Sequence, residues 1–224
     1  MQNSGIDNIL RAFPRLLGGI GLTLEIALIS LVLSVILGVI IGVIMTTKNK
    51  LILAVLRVFL EAFRLIHPLI WLFIFFFGSA YMFHINSSNF VVSILVFTLW
   101  GTFEIGDLVR SFITSLPRSQ FESSIAIGLS KRQMYVYVLL PQIVKRTVPS
   151  VVNLATRLIK TTTLVYLIGV PEVLKVSQSI IQVTYMKNPK SYISFTMYFM
   201  LLVIYFIICY PLSLFEKYLE QKDG

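Results

Sequence analysis

Residues 19–45 run for 27 positions with a single charged side chain, Glu25. A helix needs about 20 predominantly apolar residues to cross a bilayer core. That core has no water to satisfy an open backbone. The run therefore has one way to fold, as a transmembrane helix. Four more stretches have the same character, at 51–83, 90–112, 143–170 and 192–215. The second is longer than a straight crossing requires and is interrupted at Pro68. The pattern predicts an all-α membrane protein with about five transmembrane helices in one membrane domain, residues 19–215. A surface segment (1–18) precedes it, amphipathic over 6–17, and a short tail (216–224) follows. The first span is too long for a signal-peptide core, so no cleavable signal is expected.

Hydrophobic residues make up 57% of the chain and charged residues 13%, which excludes an ordinary soluble domain. The net charge of +9 could suit nucleic acid, but the basic residues are scattered and flank apolar runs. They report topology instead. Lys48, Lys50, Arg118, Lys131, Arg132, Lys145, Arg146, Lys217 and Lys222 fall on one side of five spans. Arg11, Arg15, Lys175, Lys187 and Lys190 fall on the other. The richer side is expected to be cytoplasmic, with the N-terminus outside and the C-terminus inside. Cys209 is the only cysteine, so no intrachain disulfide forms. Ser30, Ser34, Gly38 and Gly42 recur every four residues. This small-residue face lets another backbone approach, either within the chain or across a subunit interface, the first being favoured.

One segment outside the spans is unusually well made. Over residues 117–142, Ser119 with Glu122 and Ser130 with Gln133 have capping-box spacing, and Gly128 lies between them where a left-handed residue would end a helix. The reading is two short capped helices joined at a glycine.

Charges inside the spans are costly unless paired or hydrated. Glu61, Arg64 and His67 are spaced three apart, near one helix face. Asn153, Thr156, Arg157, Lys160 and Thr161 follow helical spacing in the fourth span. These residues either pair between helices, Glu61 with Arg157 or Arg64, or line a hydrated path. As a set they favour the path, and their excess positive charge suits a ligand with a carboxylate. His67 reads equally as a packed histidine or a contact. No metal-ligand spacing and no nucleophile–base pair appears.

The 117–142 segment resembles the signature loop of the membrane subunits of binding-protein-dependent ABC importers. That loop has Glu-Ala-Ala, three residues, Gly and an apolar-Pro end. Here Glu122-Ser123-Ser124, Gly128 and Leu139-Leu140-Pro141 stand in that order, with serines for the two alanines. Further motifs resemble the polar amino acid branch of the family. Glu61, Arg64, Pro68 and Leu69 follow its second-span pattern. There the Gly-Thr pair is replaced by Leu65-Ile66-His67, and Trp71 lies near the expected Gln. Asn153, Lys160, Thr162, Leu164, Gly169 and Glu172 follow its fourth-span pattern, with Thr161 where an Asp is usual.

The resemblance implies the fold of a type I ABC importer transmembrane subunit and a permease role without enzymatic activity. It implies a translocation path for a polar amino acid, or a derivative such as cystine, worked by alternating access. Its implied partners are a cytoplasmic ATPase dimer, a second permease subunit (identical or homologous) and an extracytoplasmic solute-binding protein, in a bacterial plasma membrane. The chain has no Gly-x-x-x-x-Gly-Lys-Ser/Thr loop, so ATP and Mg are expected on the ATPase, and no cofactor on this chain. Glu122, Ser123, Ser124 and Gly128 would form the coupling loop, Glu122 capping its helix. Leu129, Met134 and Tyr135 would be its apolar contacts with the ATPase. Arg64 and Lys160 would meet a solute carboxylate, with Glu61, His67, Asn153, Arg157 and Thr161 beside them. Thr161 in place of Asp predicts a weaker preference for cationic amino acids. Two other classes stay open: a secondary transporter or channel acting alone, with Glu25, Glu61 or Glu104 as its acid site, and a supporting subunit that does not itself transport.

Overall fold

The computed structural model describes residues 3–84, 87–187 and 192–223. Every regular element among them is helical: α1 (Asn3–Ile44), α2 (Lys50–Leu65), α3 (Pro68–Phe83), α4 (Asn89–Ser115), α5 (Arg118–Ala126), α6 (Lys131–Gln133), α7 (Leu140–Thr161), α8 (Val173–Lys187) and α9 (Ile193–Asp223). A π-helical stretch, Met134–Leu139, links α6 to α7, and a 3₁₀ stretch, Thr162–Ile168, follows α7. Four stretches are long and apolar enough to cross a membrane: Ala12–Ile44, Asn89–Ser115, Val136–Ile168 and Ile193–Lys222. The broken pair α2–α3 makes a fifth if its two helices are counted as one span. Its break lies beside a proline: His67, the residue before Pro68, is steered away from helical angles, and the chain has already left the helix one residue earlier. Ile66 is extended (φ −88°, ψ 125°), and α3 restarts at Pro68, a position where proline fits a helix start.

The chain divides into two compact units. One comprises Ser30–Pro68, Phe97–Leu154 and Ser213–Gly224. Here α4 presents one face to α1 and another to α2. On the α1 side, Ser30 and Ser34 are fully buried, and Ser34 Oγ donates to the Thr98 carbonyl at 3.0 Å. A Cβ built on Gly38 would lie 2.7 Å from Ile105 Cβ, and one on Gly42 2.7 Å from the Gly106 carbonyl oxygen and from Val109 Cβ. The small-residue face is therefore used within the chain, against α4. On the α2 side, Phe63 stacks on Phe103 with ring centroids 5.1 Å apart, and Phe59 lies beyond it at 6.1 Å.

The other unit comprises Met1–Ile29, Leu69–Val96 and Ala155–Leu212. Its core joins Ala12 and Leu16 of α1 to Val176, Ile180 and Ile181 of α8 and Ile193 and Met197 of α9. The surface segment expected over residues 1–18 is continuous with the first span: α1 runs unbroken past Gly19. Gly19 lies against the start of α8, where a Cβ would come within 2.9 Å of Val173 Cα. The 3₁₀ stretch ends at Gly169, whose φ of +92° favours glycine. Glu172 then caps α8, its two oxygens accepting from Leu174 N–H at 2.9 Å and Lys175 N–H at 2.8 Å. Helix α8 is absent from the sequence-based element list.

Candidate functional site: the 117–142 hairpin and the polar helix faces

The segment forms the expected pair of short helices, but only the second is capped as the spacing predicts. The Ser130 backbone N–H donates to Gln133 Oε1 at 2.9 Å, and Gln133 N–H donates back to Ser130 Oγ at 3.4 Å. That is a reciprocal capping box. The first box does not form. Pro117 (φ −59°) occupies the N-cap of α5 with no side-chain cap bond, and its carbonyl accepts from Gln120 N–H at 3.1 Å. Its fixed φ starts the helix two residues earlier than a Ser119 cap would. Ser119 and Glu122 thus lie inside the helix, and the capping role expected of Glu122 is corrected. Gly128 closes α5 with φ +80°, the left-handed conformation of a C-terminal cap, and Leu129 N–H reaches back to the Ser124 carbonyl at 3.1 Å.

The two serines that replace alanines have different environments. Ser124 is buried, and its hydroxyl donates to the Gln120 carbonyl at 2.7 Å. A serine fits a small buried position there because the helix itself supplies the partner. Ser123 is exposed. Met134, expected as a partner contact, is buried at 6% exposure, because it faces inward from the π-helical stretch. Leu129 is half-buried, and the side chain of Tyr135 lies outside the described residues. Among the apolar residues that the hairpin offers outward are Ile125 (64% exposed), Ile127 (75%) and Tyr137 (71%), which sequence reasoning missed. A shallow groove of about 420 Å³ runs beside them, lined by Ser119, Gln120, Ser123, Ser124, Ile127, Val138 and Gln142.

The π-helical stretch has a local cause. Pro141 supplies no N–H and would clash with the carbonyl four residues back, so the normal ladder cannot continue through it. Gln142 Nε2 donates to the Val138 carbonyl at 2.9 Å within the same turn.

The predicted path residues divide between the two units. Glu61, Arg64, His67 and Asn153 belong to one, and Arg157, Lys160 and Thr161 to the other. Glu61 and Arg64 do share a face, 3.9 Å apart. His67 does not, since α2 ends at Leu65 and the chain is extended before Pro68. Arg64 is engaged by an acid that the sequence reading passed over: its Nη2 donates to Asp107 Oδ2 at 3.1 Å. Arg110 holds the other oxygen of the same carboxylate, through Nε at 3.2 Å and Nη2 at 2.7 Å. With Glu61, this set of two arginines and two acids is charge-balanced, so the cationic excess expected at Arg64 is absent. The signal was present as Asp107 and Arg110, three apart in the third span. Asn153 Nδ2 donates to Glu216 Oε1 at 2.7 Å, on α9.

In the other unit, Arg157 and Lys160 are exposed, and no ion pair holds Lys160 among the described residues. Thr161 Oγ1 donates to the Arg157 carbonyl at 2.8 Å, and Thr162 and Thr163 bond back in the same way. Three consecutive threonines that bond their own backbone accompany the change from α-helix to 3₁₀. Glu172, which follows the fourth-span pattern, is fully buried. Burial pushes its carboxyl up to about 7, against the pull of its two backbone N–H bonds and of Lys175.

The chain is 29% identical to a probable amino-acid ABC transporter permease protein, YckA, of Bacillus subtilis, covering 95% of this chain and 91% of that one. It is 28% identical to the L-cystine transport system permease protein TcyB of the same organism, covering 94% and 87%. Its fold superposes on a crystal structure of an amino acid ABC transporter with histidines at a TM-score of 0.84, with 21% identity and 96% of both chains covered. It also superposes on an inward-facing structure of the MetNI methionine ABC transporter at 0.61, with 20% identity, covering 93% and 96%. The all-α architecture is thus that of a type I ABC importer permease, a transport subunit and not an enzyme. Residues 34–222 match the model of the binding-protein-dependent transport system inner membrane component family, and this chain is a member of that family.

Proposed function

We propose that this chain is the permease subunit of an ATP-driven importer for a polar amino acid or a derivative such as cystine. The observation that carries the reading is the 117–142 hairpin. It has a left-handed glycine at its corner, a capping box on its second helix, and Ile125 and Ile127 turned outward beside a groove. Such a surface suits docking on a soluble partner, and a cytoplasmic ATPase dimer is the partner that an importer requires. The bias of lysine and arginine supports a cytoplasmic hairpin, an outer N-terminus and an inner C-terminus. A second permease subunit and an extracytoplasmic binding protein complete the assembly, and ATP and Mg are held by the ATPase.

Transport then proceeds by alternating access. The hairpin supplies the contact free energy that differs between states, without which ATP could not bias the spans. On the solute side the reading rests on Lys160, exposed and outside any ion pair among the described residues, with Arg157 and Thr161 near it in the helix. The amino acid class is supported by the relatives, a probable amino-acid permease and an L-cystine permease.

Co-purification with the co-expressed ATPase tests the docking. Wild type brings the ATPase down, and Gly128→Pro, which removes a helix-ending left-handed glycine, does not. Intact assembly and uptake in that variant overturn the hairpin's role. Uptake of glutamine, cystine and arginine into proteoliposomes tests the solute class. Arginine as the clearly preferred substrate overturns the expectation drawn from Thr161.

A further inference from the structure

Arg64, Asp107 and Arg110 form a three-membered ion cluster in which one carboxylate is shared by two guanidiniums. Its position on the helices is specific. Arg64 is the penultimate residue of α2, just before the chain turns extended at Ile66. Asp107 is one residue from Gly106, on the stretch of α4 that packs against Gly38 and Gly42 of α1. One helical turn earlier on α4, Phe103 takes the stacking contact of Phe63. The ion cluster and the aromatic stack thus lie in one line along the α2–α4 contact. Pairing offsets the cost of a charge inside a span, and the Arg64 side chain, 61% exposed, is held on one side only. Arginine's planar fork is suited to fixing geometry at a carboxylate, and the geometry here fixes the last turn of α2 against α4.

We propose that Asp107 is a positioning residue for the translocation step. Through Arg64 it braces the C-terminal end of α2 to α4, so that the two helix segments move together in the transport cycle, and Arg64 does not meet the solute. This rests on the importer reading above, and one arm of the test does not depend on it.

The first arm uses the permease with its ATPase and binding protein in proteoliposomes. Arg64→Gln and Asp107→Asn each lower the maximal uptake rate about tenfold, while the apparent KM for the loaded binding protein stays within about twofold. The double variant is no slower than either single, the non-additivity expected of one shared interaction, and Asp107→Glu keeps at least about half the rate. A changed ratio of uptake rates between two solutes in Arg64→Gln alone would mean that Arg64 meets the solute, and that overturns the proposal. So does a double variant restored to the wild-type rate, because the cluster would then only neutralise charge. The second arm needs no solute. In a Cys209→Ser background, Phe59→Cys with Phe103→Cys, an α2–α4 pair that leaves Arg64 and Asp107 in place, is bridged by a short bis-methanethiosulfonate linker in the ATPase complex. Equal bridging rates without nucleotide and with trapped ATP are expected, and a change of tenfold or more between the states overturns the brace. Absence of wild-type uptake together with equal bridging rates would sink the importer reading and leave the brace standing.

Discussion

The close approach of α1 to α4 makes a prediction whose sign depends on packing alone. Gly42 and Gly21 lie on the same helix, but a Cβ on Gly42 would come within 2.7 Å of Val109 Cβ and of the Gly106 carbonyl oxygen, while one on Gly21 meets nothing within 4 Å. Apolar carbons pack best at roughly 3.5–4.0 Å, so alanine at 42 drives the helices apart by about 1 Å. Overpacking of this kind costs roughly 1–3 kcal/mol. Replacing glycine by alanine inside a helix returns about 1 kcal/mol of backbone propensity at either site. Gly21→Ala should therefore stabilise slightly, and Gly42→Ala should be the less stable of the two by roughly 1–3 kcal/mol. At roughly 2–4 °C per kcal/mol for a chain of this size, the Tm values separate by several degrees in a detergent thermal-unfolding assay read by size exclusion. Gly38→Ala behaves like Gly42→Ala, because its Cβ would meet Ile105 Cβ at 2.7 Å and the Thr102 carbonyl at 3.0 Å. The reciprocal contact adds a rescue: a Cβ on Gly101 would strike Ser34 Oγ, so Ser34→Gly should recover part of the loss in Gly101→Ala. Equal Tm values for the Gly21 and Gly42 variants would refute the claim that these helices touch at their backbones.

The capping geometry predicts that Ser130→Ala loosens the hairpin by about 1 kcal/mol and that Ser119→Ala leaves it unchanged, read as hydrogen-exchange protection over residues 119–142. Met134→Ala should destabilise by roughly 2–5 kcal/mol, as expected for a buried side chain. Ile127→Ala should leave Tm unchanged and weaken ATPase retention on a column, and the reverse pattern would mean the hairpin's faces are misassigned. Burial holds the Glu172 carboxyl near 7, above its usual value of 4.5, so between those two values the folded state binds more protons than the unfolded chain. Stability therefore falls as pH rises through that window and levels off above it, by about 3 kcal/mol in all. Glu172→Gln should flatten the slope, measured as Tm at about pH 5 and about pH 8. A wild-type protein with no slope would refute the buried carboxyl.

What could be read from the sequence follows from which forces are local. The long spans were legible because the bilayer alone decides them, and the α2–α3 break because Pro68 steers its own neighbour away from helical angles. The capping box at Ser130 was legible for the same reason. The one at Ser119 was not, because Pro117, two residues upstream, had already fixed where the helix begins. Helix α8 left a signal in Val173, Val176, Ile180 and Ile181, whose spacing suits one helix face, but its stretch is too short and polar to register as a span. The charge on the path was least legible. Counting cations within α2 made Arg64 look available for a solute, and only the fold brings Asp107 and Arg110 from α4 to the same point. A charge inside a span is costly until it is paired, so an unpaired-looking arginine in one helix is itself a reason to search the other helices for its acid. Lys160 poses the same question in the other unit: no acid among the described residues pairs with it, and the same search for a partner applies there.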